Sequence, residues 1–238
     1  MNFRTNAVFA ALFLAVLPLC SIGQIPLVAA PMRSKTPRLQ FPRVSGLRDS
    51  AVKRQVNAVL AAREKQDLQT LRFCAHVAHF RGAKDEDSET LRVSYLSNML
   101  LSLDVRVTFW NCAPYPQTNL PEPITIDLRS GHELDWHAFF LSGFLPDSGA
   151  DGWEKPAGPI PGLKAMYLSR YKQDSDCTAQ IRDSGFPFDL WLDRRSGSLV
   201  AVPDVPHVIR ACADEVAIPF SEVLPYVADK AAASDLAR

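Results

Sequence analysis

The sequence predicts an α+β fold: an antiparallel meander sheet with an N-terminal helix and further helices packed on it, stapled by disulfides. Three observations lead there. A stretch of helical period opens the domain, runs of alternating apolar and polar residues follow it directly, and four cysteines lie beyond an apolar leader. Strands gathered together and helices gathered after them point away from parallel βαβ units.

The chain begins with one positive charge, Arg4, and an uncharged apolar run from Ala7 to Leu19. That run is shorter than the roughly 20 residues needed to cross a bilayer and has the length of a signal-peptide core. Residues 1–23 are therefore expected to be a signal peptide, with small Ser21 and Gly23 preceding cleavage before Gln24. Cleavage after Ala30 is an alternative opposed by Pro31, and lipidation at Cys20 is another, opposed by Leu19 where a small residue is required. A periplasmic or secreted protein follows, with no transmembrane anchor in the mature chain.

Residues 24–40 are expected to be a flexible lead-in, because Pro31 to Pro42 is dominated by Pro, Arg, Lys, Ser and Thr and cannot bury a core. The domain proper is expected over 41–228, with a tail at 229–238. Asp49 or Ser50 caps a first helix in which Val52, Val56, Val59 and Leu60 share a face and Lys53, Arg54, Arg63 and Glu64 face water. Leu71, Phe73, Ala75 and Val77 alternate with Arg72, Cys74 and His76 as a strand would, and Leu91, Val93 and Tyr95 do the same. Leu101, Leu103, Val105, Val107 and Phe109 form one face of a longer strand, with Ser102, Asp104, Arg106 and Thr108 on the other. Ser97-Asn98 supplies the hairpin turn between these runs, Gly82 to Ser88 is a polar connection, and Ile124, Ile126 and Leu128 continue the pattern to Ser130-Gly131.

In the rear half Asp135 caps a short helix carrying Trp136, Phe139 and Phe140, and Pro146 to Pro161 is a Pro- and Gly-bearing loop. Leu163, Met166, Tyr167 and Tyr171 then recur at helical offsets. Phe186 to Leu192 and Leu199 to Val202 flank a turn from Arg194 to Ser198. Val205 to Ala211 is a helical turn, Val216 and Ile218 a last short strand, and Ser221 to Val227 a final turn of helix.

Beyond the signal the cysteines are Cys74, Cys112, Cys177 and Cys212. An even number in an exported chain implies two disulfides, with three possible connectivities. Pairing Cys74 with Cys112 and Cys177 with Cys212 closes two loops of similar size, each worth about 4 kcal/mol in the chain-entropy account. No C-x-x-C spacing suggests zinc or a thioredoxin-like site. The 26 Lys and Arg balance 26 Asp and Glu, which leaves no electrostatic footprint for nucleic acid or an anionic membrane surface.

"FPRVSGLRDSAVKRQVNAVL", "YLSNMLLSLDVRVTF", "CAPYPQ", "ITIDLRSGHELDWHAFF" and "AIPFSEVLPYV", in that order, resemble the extracytoplasmic domain of the RsiV-type anti-sigma factors. The same module is similar to a non-catalytic domain beside some peptidoglycan deacetylase domains and to stand-alone exported proteins of unknown function. The resemblance spans most of Phe41 to Val227 and implies a module that binds other molecules at the bacterial cell envelope, lysozyme in the case of the anti-sigma factors. The chain departs from those relatives in carrying no transmembrane helix, no sigma-binding part and no deacetylase domain. Where many relatives have a Gly-Gly turn, it has Cys112-Ala113-Pro114.

"GHELDWH", Gly131 to His137, resembles a zinc-protease helix, but its histidines stand five apart. Five residues turn by roughly 140° on a helix, so the two imidazoles cannot face one ion. His76 and His79, three apart on the expected strand, point to opposite faces, and His207 is expected to pack locally. No catalytic residue, metal site or cofactor is expected. Recognition by a binding module instead uses exposed aromatics on loops held by rigid elements; Tyr115, between Pro114 and Pro116, and Trp153 are the candidates. The leading expectation is a non-enzymatic envelope module for a peptidoglycan fragment or a lysozyme-like protein. The alternative is a glycan or peptidoglycan hydrolase using Glu133, Asp135 or Asp127 with His137.

Overall fold

The computed structural model describes residues 27–31, 39, 41–82, 84, 87–112, 117–146 and 162–238. The signal segment and both aromatic candidates, Tyr115 and Trp153, lie outside them. Helices and antiparallel sheets build the chain, so the α+β class holds.

The first layer is one long helix, α1 (Ser50–Phe80). Asp49 caps it, its carboxylate accepting from the backbone N–H groups of Ala51 and Val52. The helix runs through the stretch from Leu71 to Val77 that alternation marks as a strand. Neither Gly nor Pro interrupts Ser50 to Phe80, and the intervening Ala, Arg, Glu, Lys and Gln are good helix formers. The long period also wins on burial: Val56, Leu60, Asp67, Cys74 and Ala78 are the buried positions, spaced by fours and sevens along one face.

That face covers a five-stranded sheet made of β3 (Ser88–Leu96), β4 (Leu100–Phe109), β5 (Gln117–Pro121), β6 (Ile124–Asp127) and β7 (His132–Glu133). The strand order is β3-β4-β6-β7, and β5 pairs with the far half of β4, so β5 and β6 share one edge of that long strand. Ser97 closes the β3–β4 hairpin, its N–H donating to the Leu100 carbonyl. Leu101, Leu103 and Val105 of β4 pack with Val56 and Leu60 in the first core. The chain ahead of the expected domain start joins that core. A strand β1 (Val28–Pro31) pairs with β2 (Pro42–Ser45), and Leu39 is buried in the same cluster, because its apolar residues find a partner that lead-in composition alone does not reveal.

On the other face of β4 Ser102 and Asp104 are buried and Arg106 and Thr108 half-buried. Ser102 Oγ lies 2.8 Å from Thr125 Oγ1 and accepts from Leu192 N at 3.1 Å. Asp104 pairs with Arg92 and Arg106, Arg106 also pairs with Glu215, and its guanidinium lies 4.9 Å over the Trp191 ring. The covering layer is a second antiparallel sheet of β8 (Phe188–Asp193), β9 (Ser198–Pro203) and β10 (Val216–Pro219), in the order β10-β9-β8.

The second core joins Leu190, Leu192, Leu199, Ala201 and Ile218 to an aromatic cluster that includes Phe139, Phe140, Phe144, Tyr167 and Phe220. Short helices frame it: α2 (Trp136–Phe139), capped by Asp135; α3 (Gly162–Leu168); α4 (Ser175–Asp183), which the sequence reading did not separate from its loop; α5 (Phe220–Val223); and α6 (Lys230–Leu236). The tail docks. Asp229 caps α6 and pairs with Arg129, while Ala232 and Leu236 are buried. Both disulfides form in the pairing that equal loop sizes suggest, Cys74–Cys112 and Cys177–Cys212, with Cα–Cα separations of 4.7 and 5.1 Å. Among the described residues no helix is long and apolar enough to cross a membrane.

Candidate functional site

The C-terminal end of α1 is tied down by a small set of buried groups. Gly82, with φ of +66°, lets the chain leave the helix in a left-handed turn. Cys74 on the helix is bonded to Cys112 just past β4. The Asp87 carboxylate, 3% exposed, accepts from Trp110 N at 2.7 Å, Asn111 N at 3.1 Å and Asn111 Nδ2 at 2.6 Å. Asn111 Nδ2 also donates to the Lys84 carbonyl, and Arg81 Nη1 to the Asn111 carbonyl. Helix end, connection and strand end thus form one knot.

Large side chains stand out from this knot into water. Phe80 is 87% exposed, Phe73 59% and Trp110 45%. Phe73, half-buried Val77 and Phe80 follow the i, i+4, i+7 spacing that keeps them on one side of the helix. Soluble proteins rarely leave aromatics so exposed without use, and aromatics on a rigid frame are the usual anchors of recognition surfaces. His76 and His79, expected on opposite faces of a strand, are exposed and three apart on the helix, where that spacing places them on neighbouring positions of one side.

Cys74, Asp87 and Cys112 also bring three ligand-type atoms within 4.8 Å of one another. Each thiol is consumed by the other in the disulfide, so the group offers a metal one carboxylate and no thiolate. His132, Glu133 and His137 are exposed and bring no such cluster together among the described residues. Asp135 is spent on the α2 cap, accepting from His137 N and Ala138 N, and Asp127 on Arg129.

A second cluster escaped the sequence reading. Arg63 Nε donates to both carboxylate oxygens of Asp67, at 2.8 and 2.9 Å, and Arg63 Nη2 to Glu122. Glu89, 6% exposed beside Asp67, is pushed up to about 9, first by burial and then by the Asp67 charge, and its Oε1 accepts no hydrogen bond. Glu89 thus holds its proton more tightly than a free carboxyl, where α1 meets β3. Across the seam, burial and the Asp204 charge push Asp189 up to about 7, and burial lowers the Arg210 guanidinium. Asp67 and Glu89 are too enclosed to meet a substrate; they hold the fold. Periodicity did carry a signal for both. Glu89 stands on the face of Leu91 and Val93, and Asp67 stands seven residues from both Leu60 and Cys74; the bulge between Val93 and Tyr95 breaks the alternation expected there and turns Tyr95 into the second core.

Comparison with protein families gives no match, and comparison with curated proteins gives none. Among solved structures, the chain is similar to a member of the DUF3298 family from Bacteroides fragilis, at 9% sequence identity and a TM-score of 0.49, over 83% of this chain and 86% of the other.

Proposed function

We propose that the protein is an exported, non-enzymatic binding module of the bacterial cell envelope, periplasmic or secreted, that recognises a peptidoglycan fragment or a protein such as lysozyme. The observation that carries this reading is the exposure of Phe73, Phe80 and Trp110 on a frame held by Cys74–Cys112 and Asp87. Tyr115, three residues beyond Cys112 in the sequence, and Trp153 are further candidate contacts in this reading. Two disulfides that use every cysteine beyond the leader support an oxidising compartment, and the ordered signatures shared with RsiV-type domains support the envelope.

The test is a pull-down with the mature oxidised protein against peptidoglycan fragments, lysozyme and a periplasmic extract, repeated with Phe80→Ala, Trp110→Ala, Tyr115→Ala and Trp153→Ala. Saturable binding weakened by Phe80→Ala or Trp110→Ala is the expected result. Release of soluble product from peptidoglycan, or binding indifferent to all four substitutions, overturns the reading.

A further inference from the structure

Turns of both large sheets meet the end of α6 around a cleft of about 600 Å³. Asn98 comes from the β3–β4 turn, Arg194 from the β8–β9 turn and Arg238 from the residues just past α6, and all three are exposed. Half-buried Leu27 and Leu96 give the cleft an apolar side. Arg195 stands next to it, in an adjoining hollow that shares Leu96 and Arg194. We propose that this cleft binds a small amphiphilic anion, a carboxylate or phosphate monoester carried on a short apolar stem.

The charge is what sets this place apart. Elsewhere arginines meet carboxylates: Arg43 pairs with Glu64, Arg63 with Asp67, Arg129 with Asp127 and Arg170 with Glu222. Among the described residues Arg194, Arg195 and Arg238 pair with none. Like charges gathered at one seam repel one another, and a bound anion relieves that repulsion. Asp235 is the one side-chain carboxylate among the residues lining the cleft, and its Oδ2 is buried, so that oxygen is closed to a ligand. Even with the main-chain carboxylate at Arg238 counted beside it, the guanidinium groups are in excess.

Arg194 is held in place before any ligand arrives. Its backbone N–H donates to the Ser94 carbonyl at 3.0 Å, its Nη1 donates to the Leu96 carbonyl at 3.1 Å, and its guanidinium lies 5.9 Å over the Tyr95 ring. A guanidinium carries five N–H donors in a planar fork, so Nε and Nη2 remain for the two oxygens of an anion. The exposed Asn98 amide adds a neutral donor. A bare inorganic anion would use these donors and leave Leu27 and Leu96 in water. An oxyanion on an apolar stem uses the donors and covers the leucines.

This cleft uses none of the residues at the aromatic end of α1, and neither reading depends on the other. Isothermal titration of the mature oxidised protein at low ionic strength with hexanoate, hexyl phosphate, hexanamide and acetate tests it. Hexanoate or hexyl phosphate is expected to bind saturably at about a millimolar or tighter, and the tighter of the two names the head group. Hexanamide, which keeps the stem and loses the charge, and acetate, which keeps the charge and loses the stem, are each expected to bind roughly tenfold more weakly or worse. Arg194→Gln and Arg238→Gln are each expected to weaken the tighter anion by a similar factor. Arg182→Gln, which removes an exposed guanidinium on α4 that does not line the cleft, should leave it unchanged. Arg238 is exposed and its side chain makes no hydrogen bond among the described residues, so its variant decides the matter even if Arg194→Gln loosens the turn, a case that thermal melts identify. No saturable heat with either anion, equal binding of hexanamide, an affinity unchanged in Arg238→Gln, or an equal loss in Arg182→Gln overturns the proposal.

Discussion

The two disulfides close chain segments of nearly equal length, 38 and 35 residues apart in sequence, yet they hold opposite kinds of surface. Cys74–Cys112 ties a helix end to a strand end where Phe73, Phe80 and Trp110 face water. Cys177–Cys212 ties α4 to a short 3-10 turn (His207–Cys212) against the aromatic core, and the Cys212 carbonyl accepts from the Tyr171 hydroxyl. Loop-closure entropy depends on length alone, so both bonds contribute alike to stability. What they keep in place differs: the first presents a surface, and the second closes a core.

The sharpest way to break this comparison is to remove each bond. The double variants Cys74→Ala/Cys112→Ala and Cys177→Ala/Cys212→Ala should each lose about 4 kcal/mol in urea unfolding. Only the first should also lose ligand capture once unfolding is accounted for. If capture survives in the first or fails equally in both, the contrast is gone.

Asp87→Ala probes the same end without touching a cysteine. It strands three donors around Trp110 and Asn111, two of them on a residue that is itself buried. A loss of about 3 kcal/mol is expected, with faster hydrogen exchange at the Trp110 and Asn111 amides. A rear-half reporter such as the Ile218 amide, followed in the same spectra, should change no more than global stability dictates.

Titration separates the halves in another way. Glu89 in the first half is raised to about 9 and Asp189 in the second to about 7. A raised folded value means the folded state holds the proton more tightly, so stability is full below the unfolded value and falls as pH rises through the folded one. For Glu89 the fall spans about pH 4.5 to 9, and for Asp189 about pH 3.8 to 7. Each contributes a loss of stability with rising pH inside its window. Glu89→Gln should therefore flatten the stability profile on both sides of pH 7, and Asp189→Asn only below it. Identical profiles in the two variants would show that the halves do not titrate separately.

The smallest effect on stability is expected from Phe80→Ala. An 87% exposed ring has little burial to lose, so unfolding should shift by no more than about 0.5 kcal/mol. A large destabilisation would mean that the ring packs in solution and is no recognition element.

Much of the frame was legible one residue at a time. Asp49 and Asp135 cap helices where a short polar side chain precedes a helical run, Ser97-Asn98 turns a hairpin, and the two faces of β4 follow period two. The candidate surface was not. As a strand, Leu71 to Val77 sets Phe73 on the apolar face with Leu71, Ala75 and Val77, and nothing in that alternation marks Phe80. A run of seven residues satisfies both periods, and it was the unbroken helical stretch before it that decided.

The caps, the turns and the class of fold were legible in the sequence, because each depends on neighbours within a few positions, whereas the four cysteines left three connectivities of which the structure forms one. Tertiary structure alone decided the docking of β1 and α6 and the burial of polar Ser102 and Asp104 beneath the second sheet. It also brought Glu89 beside the Asp67 charge. Each of those outcomes depends on a partner distant in the chain, and periodicity shows which face a residue occupies but not what will cover it.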